Sequence, residues 1–186
     1  GAQERLSALV AFSRGLFGQT EPETIVASTC HAARDILLAQ CAQLVLADDA
    51  GTRHTCTASG LANEQVEKLL RTRMYTVMLQ SLEKGGCALF PMAPADTSQS
   101  SGTKLPGDLV SMLGVPVASV GHHYGYLCVI NRIGLPGFTD EDLAVARAIA
   151  AQVAVAYENA RRYYDLEQRV AERTAALEVA NRELEA

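Results

Sequence analysis

The chain has 186 residues, of which 48% are hydrophobic and 20% charged, and its formal net charge is -5. This length can bury one sizeable core plus an appendage, but hardly two domains. The acidic balance and the lack of a Lys/Arg stripe exclude a nucleic-acid surface. No apolar run reaches the length of a membrane span or a signal peptide, so we expect a cytoplasmic protein without direct membrane insertion.

The cysteines are odd in number and scattered along the sequence: Cys30, Cys41, Cys56, Cys87 and Cys128. This pattern favours reduced thiols over a disulfide framework or a zinc site, and we expect no metal and no cofactor. The chain begins at Gly1 without a Met and ends inside a heptad, which indicates a piece of a longer protein.

The first part of the chain predicts two helices. Residues 4–17 favour a helix, and Thr20 and Glu23 around Pro22 form a capping box that predicts the start of the second. The buried stripe of that second helix is predicted as Val26, Cys30, Ala33 and Leu37. A further helix is expected over residues 63–84, ended by Gly85 and Gly86.

Strands are predicted over residues 42–47, 52–58, 87–91, 109–118 and 123–131. Residues 93–107 are rich in Ser, Thr, Pro and Gly, which predicts a long loop. Thr139 with Asp142 forms another capping box, and Phe138 can pack on Leu143 at the start of the longest helix. Together the elements predict an α+β fold, an antiparallel sheet with helices packed mainly on one face.

An apolar 3-4 spacing continues through the last forty residues. Its members are Ile149, Val153, Ala156, Ala160, Tyr163, Val170, Leu177, Asn181 and Leu184. A seam this long predicts a parallel homodimer joined through the C-terminal helices, and a buried Asn181 would set its register. Up to about Tyr157 the same residues also fit packing on their own domain. Glu167 interrupts the seam, and the alternative there is a break into two helices.

Four segments resemble the second half of a GAF domain: residues 111–117, 125–129, 137–142 and 151–160. Residues 166–184 resemble the helical linker ahead of the output domain in bacterial sensor histidine kinases, and similar linkers precede diguanylate cyclase and PAS modules. The resemblance implies a GAF-like sensor domain over residues 1–160, with an N-terminal helix at 1–19 and a core at 20–160. Residues 161–186 would be a coiled-coil signalling linker.

The resemblance implies a module that binds an unknown small molecule and relays the signal to a C-terminal output domain of the same chain. A two-component histidine kinase is the expected output. The alternatives are a diguanylate cyclase module, a dimerisation scaffold that binds no ligand, and a methionine-sulfoxide-reducing enzyme. That enzyme would need cysteines grouped near residues 93–107, where only Cys87 is close. The sequence holds no catalytic motif of the common hydrolase, protease or kinase types, so we expect no catalytic residue.

In the resemblance, small ligands bind between the sheet and a crossing loop, here residues 93–107. We expect a mostly apolar cavity in which the polar groups are Ser111, His123 and Tyr126, with Met112 and Cys128 beside them. Strand alternation predicts that the side chains of His123 and Leu127 lie on the same face of the sheet. The alternative is that all five are ordinary sheet residues. A cavity lined by Met112 and Cys128 would favour a sensor, and side chains filling it would favour a scaffold.

Three specific ligands are less favoured. Asn131, Arg132, Phe138 and Asp142 match part of the cyclic-nucleotide motif of GAF domains, but the second acid is missing and Arg replaces Lys. The loop before residue 111 has no His to ligate haem, and Cys30 lies too early in the chain for bilin attachment.

Overall fold

A computed structural model of the chain describes residues 2–91 and 111–185. The predicted loop at 93–107 and the first two residues of the strand predicted at 109–118 lie outside that range. The elements in chain order are α1 (Ala2–Leu16), α2 (Pro22–Ile36), β1 (Ala39–Ala47), β2 (Arg53–Ser59), α3 (Asn63–Leu70), α4 (Arg73–Glu83), β3 (Ala88–Pro91), β4 (Ser111–Ser119), β5 (His122–Arg132) and α5 (Asp140–Glu185). The strands form one antiparallel sheet in the order β2-β1-β5-β4-β3, which confirms the predicted fold class.

Two helix boundaries differ from the prediction. The N-cap of α2 is Glu21, whose side chain makes no capping hydrogen bond, so the capping box predicted at Thr20 is wrong. Pro22 begins the helix because its fixed φ suits the first turn and its missing N–H needs no partner. The helix predicted over 63–84 is two helices, because Thr72 caps α4 by accepting the N–H of Tyr75 at 3.3 Å.

Different helices cover the two faces of the sheet. On one face, Leu44, Val115 and Leu127 belong to the core that contains α2 and α5. On the other face, Met112 and Cys128 belong to a smaller core with α4. We refer to these as the α5 face and the α4 face. The face to which a side chain points therefore decides which helix it contacts.

A β-bulge shifts the alternation of β5. Val117 pairs with Gly125 and Ala118 with His123, so Tyr124 is an extra residue on β5. A Cβ on Gly125 would lie 1.9 Å from the Val45 carbonyl oxygen, so only glycine fits there. Tyr124 therefore lies on the α5 face, and His123 points the other way. The predicted grouping of His123 with Leu127 is wrong for this reason.

Helix α5 is a single helix of 46 residues, roughly 70 Å long, and it does not break at Glu167. Its first half packs on the sheet, whereas every residue with assigned burial from Arg162 onward is exposed. Ile149, Val153 and Ala160 are buried in the core of their own domain, so their prediction as dimer contacts is corrected. In the part of the chain that the structure describes, no helix is long and apolar enough to cross a membrane.

The predicted capping box at the start of α5 is confirmed. Thr139 Oγ1 accepts the N–H of Asp142 at 3.2 Å, and Asp142 Oδ2 accepts the N–H of Thr139 at 3.0 Å. Arg5 of α1 donates to Asp142 Oδ1 at 2.5 Å, and Arg132 Nε donates to Oδ2 at 3.2 Å. Burial alone would raise the pKa of Asp142, but the Thr139 N–H and the two guanidinium groups hold it below its ordinary value.

We predict that Asp142→Asn lowers the free energy of unfolding by about 3 kcal/mol, because Arg5 and Arg132 lose their buried counter-ion. A carboxyl whose folded pKa is depressed contributes stability that is fully present above its unfolded pKa and lost as pH falls through the folded pKa. Urea denaturation should therefore show the wild type losing stability below about pH 4, and Asp142→Asn losing less over that range.

Glu141→Gln is the matched control, because Glu141 is the exposed neighbouring acid, 3.8 Å from Arg5. We expect it to change the free energy of unfolding by less than about 1 kcal/mol. Equal losses in the two variants would contradict the role assigned to Asp142.

Candidate functional site

The five residues predicted to bind a ligand lie in three places. Met112 and Cys128 are on the α4 face, and Tyr126 packs against the same core. Ser111 is on the α5 face, where its Oγ accepts the N–H of Arg132 at 3.0 Å and helps to hold the end of β5. His123 is exposed next to the bulge. Of the five, therefore, Met112, Tyr126 and Cys128 lie together on one face of the sheet.

A buried polar cluster on the α4 face escaped the sequence analysis. The Tyr75 hydroxyl donates to Gln43 Oε1 and lies 2.9 Å from the Tyr126 hydroxyl. Gln43 Nε2 donates to Thr57 Oγ1 at 3.4 Å. Gln43 and Tyr75 are each 6% exposed. We refer to Gln43, Thr57, Tyr75 and Tyr126 as the tyrosine cluster; the one signal for it in the sequence is a Gln inside an apolar strand.

The tyrosine cluster holds neutral hydrogen-bonding groups. Burial, followed by the bond to Tyr126, raises the pKa of Tyr75, and burial also raises the pKa of Tyr126. Both hydroxyls therefore stay protonated at neutral pH. Such groups can orient an uncharged or weakly polar molecule by hydrogen bonds, but they supply no charge for binding an ion.

Sulfur-containing side chains pack beside the cluster. Met78 Sδ lies 3.5 Å from Cys128 Sγ, and both residues are fully buried with Met112. Gly114 leaves the room that Met78 occupies, since a Cβ there would lie 2.8 Å from Met78 Sδ. Among the described residues, α4 side chains therefore fill the space where a cavity was predicted between Met112 and Cys128.

Four of the five cysteines lie near another cysteine, in one pair on each face of the sheet. Cys30 Sγ donates to the carbonyl oxygens of Ala42 at 3.1 Å and Cys56 at 3.3 Å, while Cys41 and Cys128 share the α4-face core. All five are free thiols. Burial, and then the nearby Cys56, raises the pKa of Cys30 to about 12. Such a thiol has little thiolate at neutral pH and is a poor nucleophile.

The histidines make separate contacts. His122 Nε2 lies 3.1 Å from Asp49 Oδ1, and His54 Nδ1 lies 3.1 Å from Glu23 Oε1. Among residues 2–91 and 111–185, no group of three or more His, Cys, Asp or Glu side chains is placed to hold a metal ion.

An apolar groove between α1 and α5 was also missed. It has a volume of about 330 Å³, and its apolar walls include Leu16 at the end of α1, Phe17 just after it, and Val155 and Ala156 of α5. Phe17 is 86% exposed. The groove residues on α5 continue into the exposed seam at the same helical spacing: Gln152, Ala156, Asn159, Tyr163, Leu166 and Val170.

The sequence of residues 19–158 matches the family model of the GAF domain. The chain belongs to the GAF family. GAF domains are regulatory modules in signalling proteins. A comparison with curated proteins found no match to the chain.

Three solved structures show the shared fold. The GAF domain of a phosphoenolpyruvate-protein phosphotransferase from Coxiella burnetii is 20% identical, with a TM-score of 0.61 over 89% of this chain and 99% of that chain. A GAF domain described as part of a sensor histidine kinase from Pseudomonas syringae pv. tomato is 19% identical, with a TM-score of 0.62 over 90% and 94%. Free methionine-R-sulfoxide reductase from Neisseria meningitidis is 15% identical, with a TM-score of 0.57 over 86% and 91%.

We predict that Tyr75→Phe lowers the free energy of unfolding by about 1–3 kcal/mol, because Gln43 Oε1 loses its buried donor. Tyr126→Phe is the matched control, since it removes one hydroxyl from the same cluster but leaves the Tyr75–Gln43 bond in place. Urea denaturation should show that Tyr126→Phe loses less free energy of unfolding than Tyr75→Phe. The reverse order would show that Gln43 does not depend on Tyr75.

Proposed function

We propose that this GAF domain is a dimeric sensor module that binds a small molecule on the α4 face. It passes the resulting change along α5 to an output domain that follows in the same chain. The observation that carries the proposal is the continuity of α5, because one helix includes both the buried Ile149 and the exposed Leu177. A displacement of the packed half must therefore move the exposed half.

The exposed half of α5 supports a dimer. Tyr163, Val170, Leu177 and Leu184 are between 49% and 85% exposed and keep heptad spacing. No described element of the same chain covers them. A second copy would bury these side chains, with Asn181 opposite its symmetry mate in a parallel pair. The groove lined by Phe17 and Val155 extends the same face toward the domain, where it would add to the contact.

We predict that Leu177→Asp converts the dimer to a monomer at micromolar concentration, because two buried carboxylates would face each other across the seam. Val179→Asp is the matched control: Val179 is also exposed on α5, but it lies off the seam. Analytical ultracentrifugation should find the wild type and Val179→Asp dimeric. A dimer that survives Leu177→Asp would remove the coiled-coil argument.

The α4 face and α5 share their strands, which supports a route for the signal. β4 contributes Met112 to the α4-face core and Val115 to the core that contains α5. A ligand that separates Met78 from Cys128 would shift the strand on which α5 packs. The ligand can bias the dimer only by its difference in affinity for the two arrangements.

The tight packing on the α4 face favours a second candidate, a dimerisation scaffold that binds no ligand. Met78, Met112 and Cys128 are fully buried, so a ligand must displace α4 and replace the contacts that it breaks. The two candidates differ in whether any small molecule can stabilise the arrangement in which α4 is displaced from the sheet.

Methionine-methyl NMR of the whole chain tests the choice. Met78 and Met112 lie on the α4 face. We predict that a screen of metabolites finds molecules that shift both signals, and that Tyr75→Phe weakens their binding by about tenfold or less per lost hydrogen bond. Hits that leave both signals unchanged, or no hits at all, would favour the scaffold.

For the output domain we propose a two-component histidine kinase acting in the cytoplasm, with a diguanylate cyclase as the alternative. Support comes from residues 166–184, which resemble kinase linkers, and from the Pseudomonas syringae neighbour described as part of a sensor histidine kinase. Regulated autophosphorylation of the parent protein on a histidine is the expected activity. Synthesis of cyclic diguanylate by the parent protein would contradict it.

A further inference from the structure

Two cysteines meet where α2 packs over the edge strand β2. Cys30 belongs to α2, and its Sγ lies 3.3 Å from the carbonyl oxygen of Cys56 in β2. The alternation of β2 directs the Cys56 side chain toward the same core that contains Cys30. Burial raises the pKa of Cys30 most and the Cys56 thiol raises it next, which requires the two thiols to lie close together.

The two thiols differ in their access to solvent. Cys30 is 0% exposed, whereas Cys56 is partly exposed on a strand that pairs with β1 and with no other described strand. A small oxidant can therefore reach Cys56 directly, but it reaches Cys30 only when the domain opens. The raised pKa of Cys30 also keeps that residue in its poorly reactive thiol form. The first oxidation is thus expected at Cys56.

The other three cysteines lack this combination of proximity and access. Cys41 and Cys128 are both 0% exposed, and the strand register places them diagonally and not opposite each other. Diagonal neighbours lie about 7–8 Å apart, which is beyond the usual Cα separation in a disulfide. Cys87 is partly exposed, but it immediately precedes β3, at the opposite edge of the sheet from Cys56.

We propose that Cys56 is a site of oxidation by peroxide and that the oxidised residue then forms a disulfide with Cys30. In the first step the Cys56 sulfur attacks hydrogen peroxide, the O–O bond breaks, and Cys56 sulfenic acid and one water are formed. In the second step the Cys30 sulfur attacks the Cys56 sulfur and the S–O bond breaks. The Cys30 proton leaves with the hydroxide as a second water. Two thiols and one peroxide thus give one disulfide and two waters.

The bond would tie α2 to β2. It would close a loop that contains the whole of β1, and a cross-link across such a loop restricts the unfolded chain and stabilises the folded one. Helix α2 packs against α5 in the same core. Oxidation would therefore fix the helix that supports the buried half of α5, whether or not the α4 face binds a ligand.

Peptide mass spectrometry of the whole chain tests the proposal. The protein is treated with a small excess of hydrogen peroxide, its remaining thiols are blocked with iodoacetamide, and it is digested without reductant. We expect a pair of peptides joined through Cys30 and Cys56, lighter by two hydrogens and separated by dithiothreitol. A Cys41–Cys128 link, the absence of any link within the chain, or sulfinic acid at Cys56 with Cys30 still reduced would overturn the proposal.

Single variants test the order of the two steps. In Cys30→Ala, Cys56 sulfenic acid should accumulate and react with dimedone, because its partner thiol is missing. In Cys56→Ala, Cys30 should stay reduced under the same conditions. Dimedone labelling of Cys30 in that variant as fast as labelling of Cys56 in Cys30→Ala would contradict the assigned order. Cys87→Ser is the matched control, since it removes a partly exposed thiol from the other edge and should leave the Cys30–Cys56 link at its wild-type yield.

Thermal unfolding tests the consequence for the fold. Oxidation of the wild type should raise the unfolding midpoint by about 5–10 °C, and dithiothreitol should reverse the rise. Cys56→Ala should show no rise. A disulfide that forms without raising the midpoint would contradict the role assigned to it in holding α2 on β2. The oxidation chemistry needs neither the dimer nor an α4-face ligand, so these results are independent of the tests of the proposed function.

Discussion

The placement of α1 and α5 against the sheet depends on one buried carboxylate. Asp142 closes the first turn of α5 and forms ion pairs with Arg5 from α1 and with Arg132 from the end of β5. A buried charge cannot lose its partners without a large cost in free energy. The three elements therefore move together, and the direction in which α5 crosses the sheet is set at its first turn.

Local motifs predicted part of the fold well. The Thr139–Asp142 capping box depends only on neighbouring residues, so the sequence was enough to find it. The same kind of motif failed at Thr20, because Pro22 can begin a helix without a capping side chain. The bulge at Gly125 was not predictable, because it depends on the close approach of Val45 from a strand distant in sequence.

At the candidate site, too, contacts between residues distant in sequence were not predictable. The prediction of one cavity correctly placed Met112 and Cys128 on the same face, but Tyr75 joins Tyr126 only through the packing of α4 over the sheet. The heptad pattern likewise did not reveal where the domain ends, because Ile149 in the core and Leu177 in the seam follow one spacing. Burial, which the pattern does not contain, separates them.

The abrupt end of the packing on α5 has a consequence for how such a module can be recombined. Ala160 is buried and Arg162 is exposed, so a junction placed just after Arg162 severs no contact of the core. A foreign effector fused at that point would inherit the domain intact. It would respond only if the joined helix preserved the heptad phase, because one inserted residue rotates everything beyond it by about 100°. The heptad phase of the helix at the junction therefore determines, together with the side chains, whether a sensor and an effector can be joined.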